Sequence, residues 1–385
     1  MNKTNNVTIL ILTGIAALTI AVGIGRFSYT PILPYMISEL KLTTTDAGLI
    51  ASSNYLGYLL GSLIPIFPQF PKKIRSIFIY SIFISIISLF AMGLTDTFEI
   101  FILIRFIHGV FSAFVLILGT SLIVSHVQKE GKLFLGTAHF SGVGLGMALS
   151  AIVVSYLGFL KFKWDELWFS ISILAIILSF QIIKFTPIQK AEVKYNLKSK
   201  YKTNLGFSLI TISYGLYGFG YVAFATFIST MSRLTPGLEK TEPFVWLVVG
   251  ITGIPSVFFW NWFGSKIGND IGLFLANLIL GLGILFSVLI NNEFGIFLSC
   301  VLFGISFVPI TSMCLLEGQK RFAGSFIVST AILTFSFSIG QMIGPYLSGL
   351  LTDYYGSFFF SMIISGIVLI FGSLLMINPN RFLNI

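Results

Sequence analysis

Long apolar runs alternate with short polar breaks along the whole chain. Runs close to the roughly 20 residues that cross a bilayer as helix fall at 7–37, 47–66, 74–94, 98–124, 133–157 and 166–185. Six more follow at 205–231, 243–263, 271–290, 293–315, 323–351 and 357–377. None has the strict period-two alternation of a lipid-facing strand, so the pattern predicts an all-α membrane protein with twelve transmembrane helices. The longest polar interval, 186–204, holds Lys190, Lys194, Lys198, Lys200 and Lys202 and stands near the middle of the chain. It reads as a basic linker between a six-helix bundle at 1–185 and a second at 205–385. A shift that sets Gly23, Gly25 and Arg26 on Gly218, Gly220 and Tyr221 also brings Met36 onto Met231 and Gly109 onto Gly304. With an even number of spans per half, the second half re-enters in the orientation of the first, a parallel repeat about an axis along the membrane normal. Such repeats place a binding site near the bilayer midplane, between the halves.

Composition agrees: 56% hydrophobic against 10% charged residues over 385 describes a surface facing lipid. The first run is too long for a signal-peptide core and has no clear small-residue cleavage site after it, so it is read as retained. Cys300 and Cys314 fall on one predicted helix, too far apart to bridge, and indicate neither disulfide nor metal site nor cofactor. The net charge of +9 is distributed unevenly. Alternate connections carry Lys72, Lys73, Arg75, Lys129, Lys132 and the linker lysines, whereas the others carry only Lys41, Lys161, Lys163, Arg233 and Lys240. That bias puts both termini in the cytoplasm and the chain in the plasma membrane as a multi-pass protein. Short basic loops of this kind are a topology signal and exclude nucleic acid as a partner. The expected partners are the lipid bilayer and a small-molecule substrate, with the chain acting as a monomer.

Arg26 lies about two-thirds of the way along the first apolar run. A charge at that depth costs roughly 2.5–3.5 kcal/mol on insertion scales and faces a cavity, a partner or a ligand. Glu39 is about 20 Å further along a helix at its ordinary rise, too far to pair. Residues three, four and seven apart share a helix face, which groups Arg26 with Tyr29, Asn54 with Tyr58 and Gly61, and Arg105 with His108 and Ser112. The same rule lines up His139 with Gly142, Gly146 and Ser150, Tyr214 with Tyr217 and Tyr221, and Thr334 with Gln341 and Ser348. Pro31 and Pro34 remove amide donors and leave carbonyls for a cavity or another helix to satisfy. Each polar residue also has a plainer reading: Arg105 snorkelling towards Glu99, Asn54 as interhelical glue, the tyrosines as packing.

Three signals resemble the major facilitator superfamily and, within it, the bacterial YbfB/YjiJ-like branch. Gly25-Arg26-Phe27-Ser28-Tyr29-Thr30-Pro31 in the first span, with Ala51 to Gly61 in the second, is similar to that branch. Arg105-Phe106-Ile107-His108-Gly109 is similar to the superfamily's R-x-x-x-G motif, and the twelve-span layout with its basic central loop matches as a whole. The resemblance implies a cavity walled by helices that include the first, second, fourth, fifth, seventh and eleventh. It also implies a gating loop after the second span, here Gly61 to Pro65 followed by Lys72, Lys73 and Arg75, with Pro65 where the family has Asp. The second-half counterpart, Ser265-Lys266-Ile267-Gly268, carries Ser in place of Asp, so the gating candidates are Gly61, Lys72, Lys73, Arg75, Lys266 and Gly268. In the fifth span Gly142 to Gly146 lacks the proline of the antiporter pattern, which leaves efflux by antiport without support.

All 14 acidic residues fall in predicted loops or at helix ends. Proton coupling, where present, would pass through His108 or His139, whose ordinary pKa suits the task, or through Asp46. Two intramembrane arginines without a buried acid favour an anion, and a guanidinium fork suits a carboxylate. The sequence therefore predicts a secondary active transporter, not an enzyme, moving a small organic solute, an organic anion or carboxylate, by alternating access. Its substrate site is drawn from Arg26, Tyr29, Asn54, Tyr58, Arg105, Tyr214, Tyr217, Tyr221 and Gln341. The alternatives are an efflux pump for small hydrophobic compounds and a transporter-like receptor that binds without turnover; His126 and Glu130, one helical turn apart, are thin support for an enzyme.

Overall fold

The computed structural model describes residues 3–64, 74–129, 133–186, 204–322 and 326–377, which form helices joined by turns, with no strand among them. The first crossing is composite: α1 (Lys3–Leu18), a π-helical segment (Thr19–Ile24), an irregular turn and α2 (Tyr29–Leu40). Then come α3 (Thr44–Leu63), α4 (Ile74–Met92), α5 (Phe98–Lys129), a 3-10 stretch (Leu133–Phe140) leading into α6 (Ser141–Phe159), and α7 (Trp164–Phe185). Beyond the interval at 187–203, outside the described residues, lie α8 (Leu205–Leu234), α9 (Glu242–Ile267), α10 (Asn269–Leu289), α11 (Glu293–Arg321), α12 (Phe326–Tyr355) and α13 (Phe359–Met376). The twelve crossings stand where the apolar runs predict them. The difference lies within the first, where one helix is expected and two are joined by a break.

Ten of these segments are long and apolar enough to cross a membrane by length and composition. The two other long helices, α3 and α12, are diluted by Ser52, Ser53 and Asn54 in one and Thr334, Ser336, Ser338 and Gln341 in the other. They pack along each other. Their amides and one of their hydroxyls meet protein and not lipid, where a lone polar group would be costly: Asn54 bonds to α5, and Ser336 and Gln341 to α8. Phe159, Phe180 and Phe294 point outward instead, exposed as lipid-facing residues are.

A second seam joins α6 to α9. It depends on small residues, since a Cβ on Gly144 would come within 2.7 Å of the Ile254 amide nitrogen and one on Gly250 within 2.4 Å of that of Ala148. The pseudo-symmetry is visible in one hydrogen bond: Thr30 Oγ1 donates to the Ala225 carbonyl at 2.5 Å. These two positions coincide under the shift that pairs Arg26 with Tyr221, so α2 and α8 meet on the axis relating the halves. Acids keep to helix ends among the described residues. Glu317, one turn from the end of α11, is buried and accepts from Arg321 Nε at 3.1 Å, while Arg321 also donates to the Met376 carbonyl at 2.7 Å.

Candidate functional site

The break in the first crossing creates the site. Pro31 has no amide to give the Phe27 carbonyl, and that carbonyl takes the Thr30 amide instead, at 3.3 Å. That shift takes the Thr30 amide away from the Arg26 carbonyl, and the Gly25 carbonyl beside it likewise accepts no amide within the turn. Arg105, reaching from α5, fills both: Nη1 donates to the Gly25 carbonyl at 3.0 Å and Nη2 to that of Arg26 at 3.1 Å. Its guanidinium also lies 5.0 Å from the centre of the Tyr29 ring, whose hydroxyl donates to the Ala47 carbonyl at 2.9 Å. The snorkelling reading of Arg105 is overturned, since the residue is buried and turned inward.

Asn54 ties α3 into the same joint. Its Nδ2 donates to the Arg105 carbonyl at 2.8 Å and lies 2.9 Å from His108 Nδ1. That amide can only donate, so His108 Nδ1 accepts and the ring proton sits on Nε2. Nε2 abuts Gly25, where a Cβ would come within 2.3 Å of it. Glycine at position 25 is therefore a requirement of the approach between the first crossing and α5.

Arg26 is placed differently. It is buried, its guanidinium carbon stands 4.3 Å from the ring centre of Tyr58 and 5.2 Å from that of Tyr55, and a cation over such faces is held electrostatically. Its side-chain hydrogen bond, from Nη2 to Ser112 Oγ, is stretched to 3.5 Å, and Nε has no partner. None of the ion pairs among the described residues includes it.

The C-terminal half faces this charge with rings. Tyr214, Tyr217 and Tyr221 stack with Phe337, their planes within 17° of parallel. Tyr217 is tied to α11 through its hydroxyl, which donates to the Phe307 carbonyl at 2.5 Å. Tyr221 is hydrogen-bonded to Gln341 Nε2, leaving Gln341 Oε1 without a partner. Phe27, next to Arg26, bridges the halves, its ring centre 5.9 Å from Trp246 and 6.2 Å from Phe307. Trp246 Nε1 is a further buried donor without a partner.

A family model described as the uncharacterised MFS-type transporter YbfB matches residues 18–377. The chain belongs to this family of transporters. It is 22% identical over 376 residues to the protein of Bacillus subtilis (strain 168) described as the uncharacterized MFS-type transporter YtbD, the match covering 92% of each chain. To YceJ of the same organism, described in the same words, it is 24% identical over 285 residues, 70% of each. Two solved structures share the fold. One is a mutant of the nucleoside transporter NupG, with a TM-score of 0.73 and 17% identity over 97% of this chain and 100% of that one. The other is NupG itself, with a TM-score of 0.70 and 17% identity over 98% and 99%.

Within this MFS-type transporter the predicted site residues divide into groups. Arg26, Tyr29, Asn54, Tyr58, Arg105 and His108 gather around the break in the first crossing, and Tyr214, Tyr217, Tyr221 and Gln341 form the facing wall. His139 stands away from them with Nε2 2.9 Å from Thr120 Oγ1. Asp46 caps α3, two turns before Asn54, accepting from the Thr43 amide at 3.0 Å and hydroxyl at 2.7 Å. Of the gating candidates, Lys72 and Lys73 lie outside the described residues. Arg75 Nε donates to the Thr186 carbonyl at 3.1 Å, and Gly61 lets α3 approach α5, a Cβ there falling 2.5 Å from the Val110 carbonyl oxygen. Lys266 is exposed, and Gly268 turns the chain from α9 into α10 with φ of 99°. Residues that helix-face reasoning missed are Tyr55, Phe27, Trp246, Phe307 and Phe337. The three-residue spacing of Tyr55 and Tyr58 was the one available signal, because it sets both rings on one face.

Proposed function

We propose that this transporter moves a small organic anion, a carboxylate, by alternating access between its two six-helix halves, residues 1–185 and 205–385. The observation that carries the reading is the buried Arg26 guanidinium, whose one side-chain bond is stretched to 3.5 Å where that of Arg105 makes two near 3 Å; Nε is unpartnered in both. A planar guanidinium matches the two oxygens of a carboxylate, while Phe27, Tyr55, Tyr58 and Tyr221 offer faces for the apolar body of the solute. Arg105 acts as a positioning residue, holding the carbonyls around Arg26. His108 serves as a neutral prop between Asn54 and Gly25, so exchange of solutes, or movement down the solute's own gradient, needs no proton-carrying acid at midplane. The lysine-rich end faces the cytoplasm with both termini, the chain works as a monomer in the plasma membrane, and no residue is assigned a catalytic step.

The near-parallel rings of Tyr214, Tyr217, Tyr221 and Phe337 favour one other reading, a flat neutral solute. NupG is named a nucleoside transporter, and a nucleoside of that kind would leave the Arg26 charge unanswered. Thermal unfolding of the purified protein against carboxylates, neutral nucleosides and cationic compounds separates the two, because a ligand raises stability by mass action. The carboxylate that stabilises is then offered to proteoliposomes; full uptake by Arg26→Ala overturns the anion reading. Counterflow of labelled solute distinguishes transport from binding without turnover.

A further inference from the structure

Asp353 lies in the last turn of α12 in the C-terminal half, and its carboxylate crosses to the first turn of α3 in the N-terminal half. Oδ1 accepts from the Thr44 amide at 3.1 Å and the Thr44 hydroxyl at 2.6 Å, and Oδ2 from the Thr45 amide at 2.7 Å and the Thr45 hydroxyl. Those amides belong to the first turn, which a helix leaves without internal acceptors, and the partial positive charge there favours an anion. Yet α3 has a cap of its own. Thr43 Oγ1 accepts from the Asp46 amide at 3.0 Å, and Asp46 Oδ2 accepts from the Thr43 amide at 3.0 Å. The helix start is thus organised locally, and what the Asp353 bonds add is a junction between the halves.

The junction is close-packed. A Cβ on Gly349 would lie 2.1 Å from the Thr44 carbonyl oxygen, and one on Gly48 2.4 Å from that of Pro345. Two more contacts close the same end between the halves: Ser155 Oγ donates to the Pro243 carbonyl at 2.7 Å, and the Arg233 guanidinium lies 3.9 Å from the Tyr35 ring centre. The first is a single neutral hydrogen bond; in the second the guanidinium already has a partner in its own half, Glu242, at 3.1 Å. The Asp353 bonds are charge-assisted and all converge on one carboxylate.

We propose that Asp353, Thr44 and Thr45 form a carboxylate latch that holds this end of the transporter shut and must release before the site around Arg26 opens to that side. The latch rests on the transporter family and on the pairing of α3 with α12, not on which solute is carried. By the lysine distribution the latched end is the outer one.

The test uses the full chain in lipid nanodiscs, without ligand. Spin labels are placed on cysteines at the exposed positions Asp96 and Lys240, one on each half at the latched end, with the buried Cys300 and Cys314 changed to alanine. Pulsed electron-spin distance measurement reads the separation. Asp353→Asn keeps the shape and removes the charge, and is expected to shift the balance towards the longer separation by about tenfold or more. Thr44→Val with Thr45→Val removes the hydroxyls and keeps the amides, and is expected to give a smaller shift in the same direction. A distribution unchanged in both variants overturns the latch. Should Asp353→Asn not purify as a folded protein, Thr45→Val alone decides by the same criterion, because the Thr44 hydroxyl also donates to the Gly349 carbonyl at 3.0 Å and its loss would not report on Asp353 alone.

Discussion

Replacing Arg26 by methionine should raise the thermal stability of the ligand-free protein while weakening carboxylate binding by more than an order of magnitude, a combination that a structural arginine cannot produce. In the native chain the buried charge costs about 3 kcal/mol at membrane depth. Against this stand the faces of Tyr55 and Tyr58, at 5.2 and 4.3 Å, worth about 1 kcal/mol each, and a 3.5 Å bond to Ser112 too long to add much. The balance leaves Arg26 destabilising by about 1 kcal/mol, which an apolar chain of similar length recovers. With a carboxylate bound the sign reverses. Losing one partner of a buried, hydrogen-bonded charge pair costs about 2–5 kcal/mol, a fall in affinity of roughly 30-fold or more. Thermal midpoints of wild type and Arg26→Met, each measured with and without the stabilising anion, read both effects. A ligand-free midpoint clearly below that of wild type would refute the reasoning, because it would mean that protein groups already satisfy the guanidinium.

Arg105→Lys should behave in the opposite way, lowering the ligand-free midpoint. One ammonium cannot span the Gly25 and Arg26 carbonyls at 3.0 and 3.1 Å, so about one charge-assisted bond of 1.5–3 kcal/mol is lost; an unchanged midpoint counts against the role of Arg105 in holding the break. Gly25→Ala presses a methyl to within 2.3 Å of His108 Nε2 and should weaken anion binding in the same titration, with intact affinity as the contrary result. Arg321→Met strands the Glu317 carboxylate, leaving it only Lys320 at 3.5 Å. It should cost up to about 3–5 kcal/mol, much of it restored by adding Glu317→Gln, and a double variant no better than the single one contradicts this. The latch should also respond to acid. Asp353 lies just past the apolar run 323–351; burial alone would raise its carboxyl, but the hydrogen bonds from Thr44 and Thr45 outweigh that and hold it below the usual range. Its stabilisation is therefore complete above the ordinary aspartate value near 3.9 and fades only as pH falls through the lowered one. With Asp46 on α3 and Lys41 before it as the neighbouring charges in sequence, the spin-label separation should hold from pH 7 to 5, and opening at pH 6 would contradict the assignment.

The two arginines mark the boundary between what is legible in the sequence and what only packing decides. The twelve crossings were legible because lipid imposes a length and an apolarity on each, and the repeat was legible because the Arg26 region recurs at Tyr221. In sequence both Arg26 and Arg105 are single charges in apolar runs without an acid at their depth, and both drew the same role. Their difference arises at the break, where Pro31 denies an amide to the Phe27 carbonyl, the Thr30 amide shifts to it from the Arg26 carbonyl, and the neighbouring Gly25 carbonyl is open as well. The prolines announced the freed carbonyls, but not which helix would answer them. That depended on the approach of α5 to the first crossing, which needs Gly25 against His108 and Gly109 against the Asn54 carbonyl, where a Cβ would come within 2.0 Å. The latch was hidden for the same reason. Asp353 and Thr44 lie 309 residues apart, and nothing local to either implies the other. Periodicity reports which face a residue occupies, whereas the partner across that face is set by the packing of whole helices. Once Arg105 is occupied by backbone carbonyls, the unanswered charge in the described site is that of Arg26, and the solute it would attract follows from a contact made by a different residue.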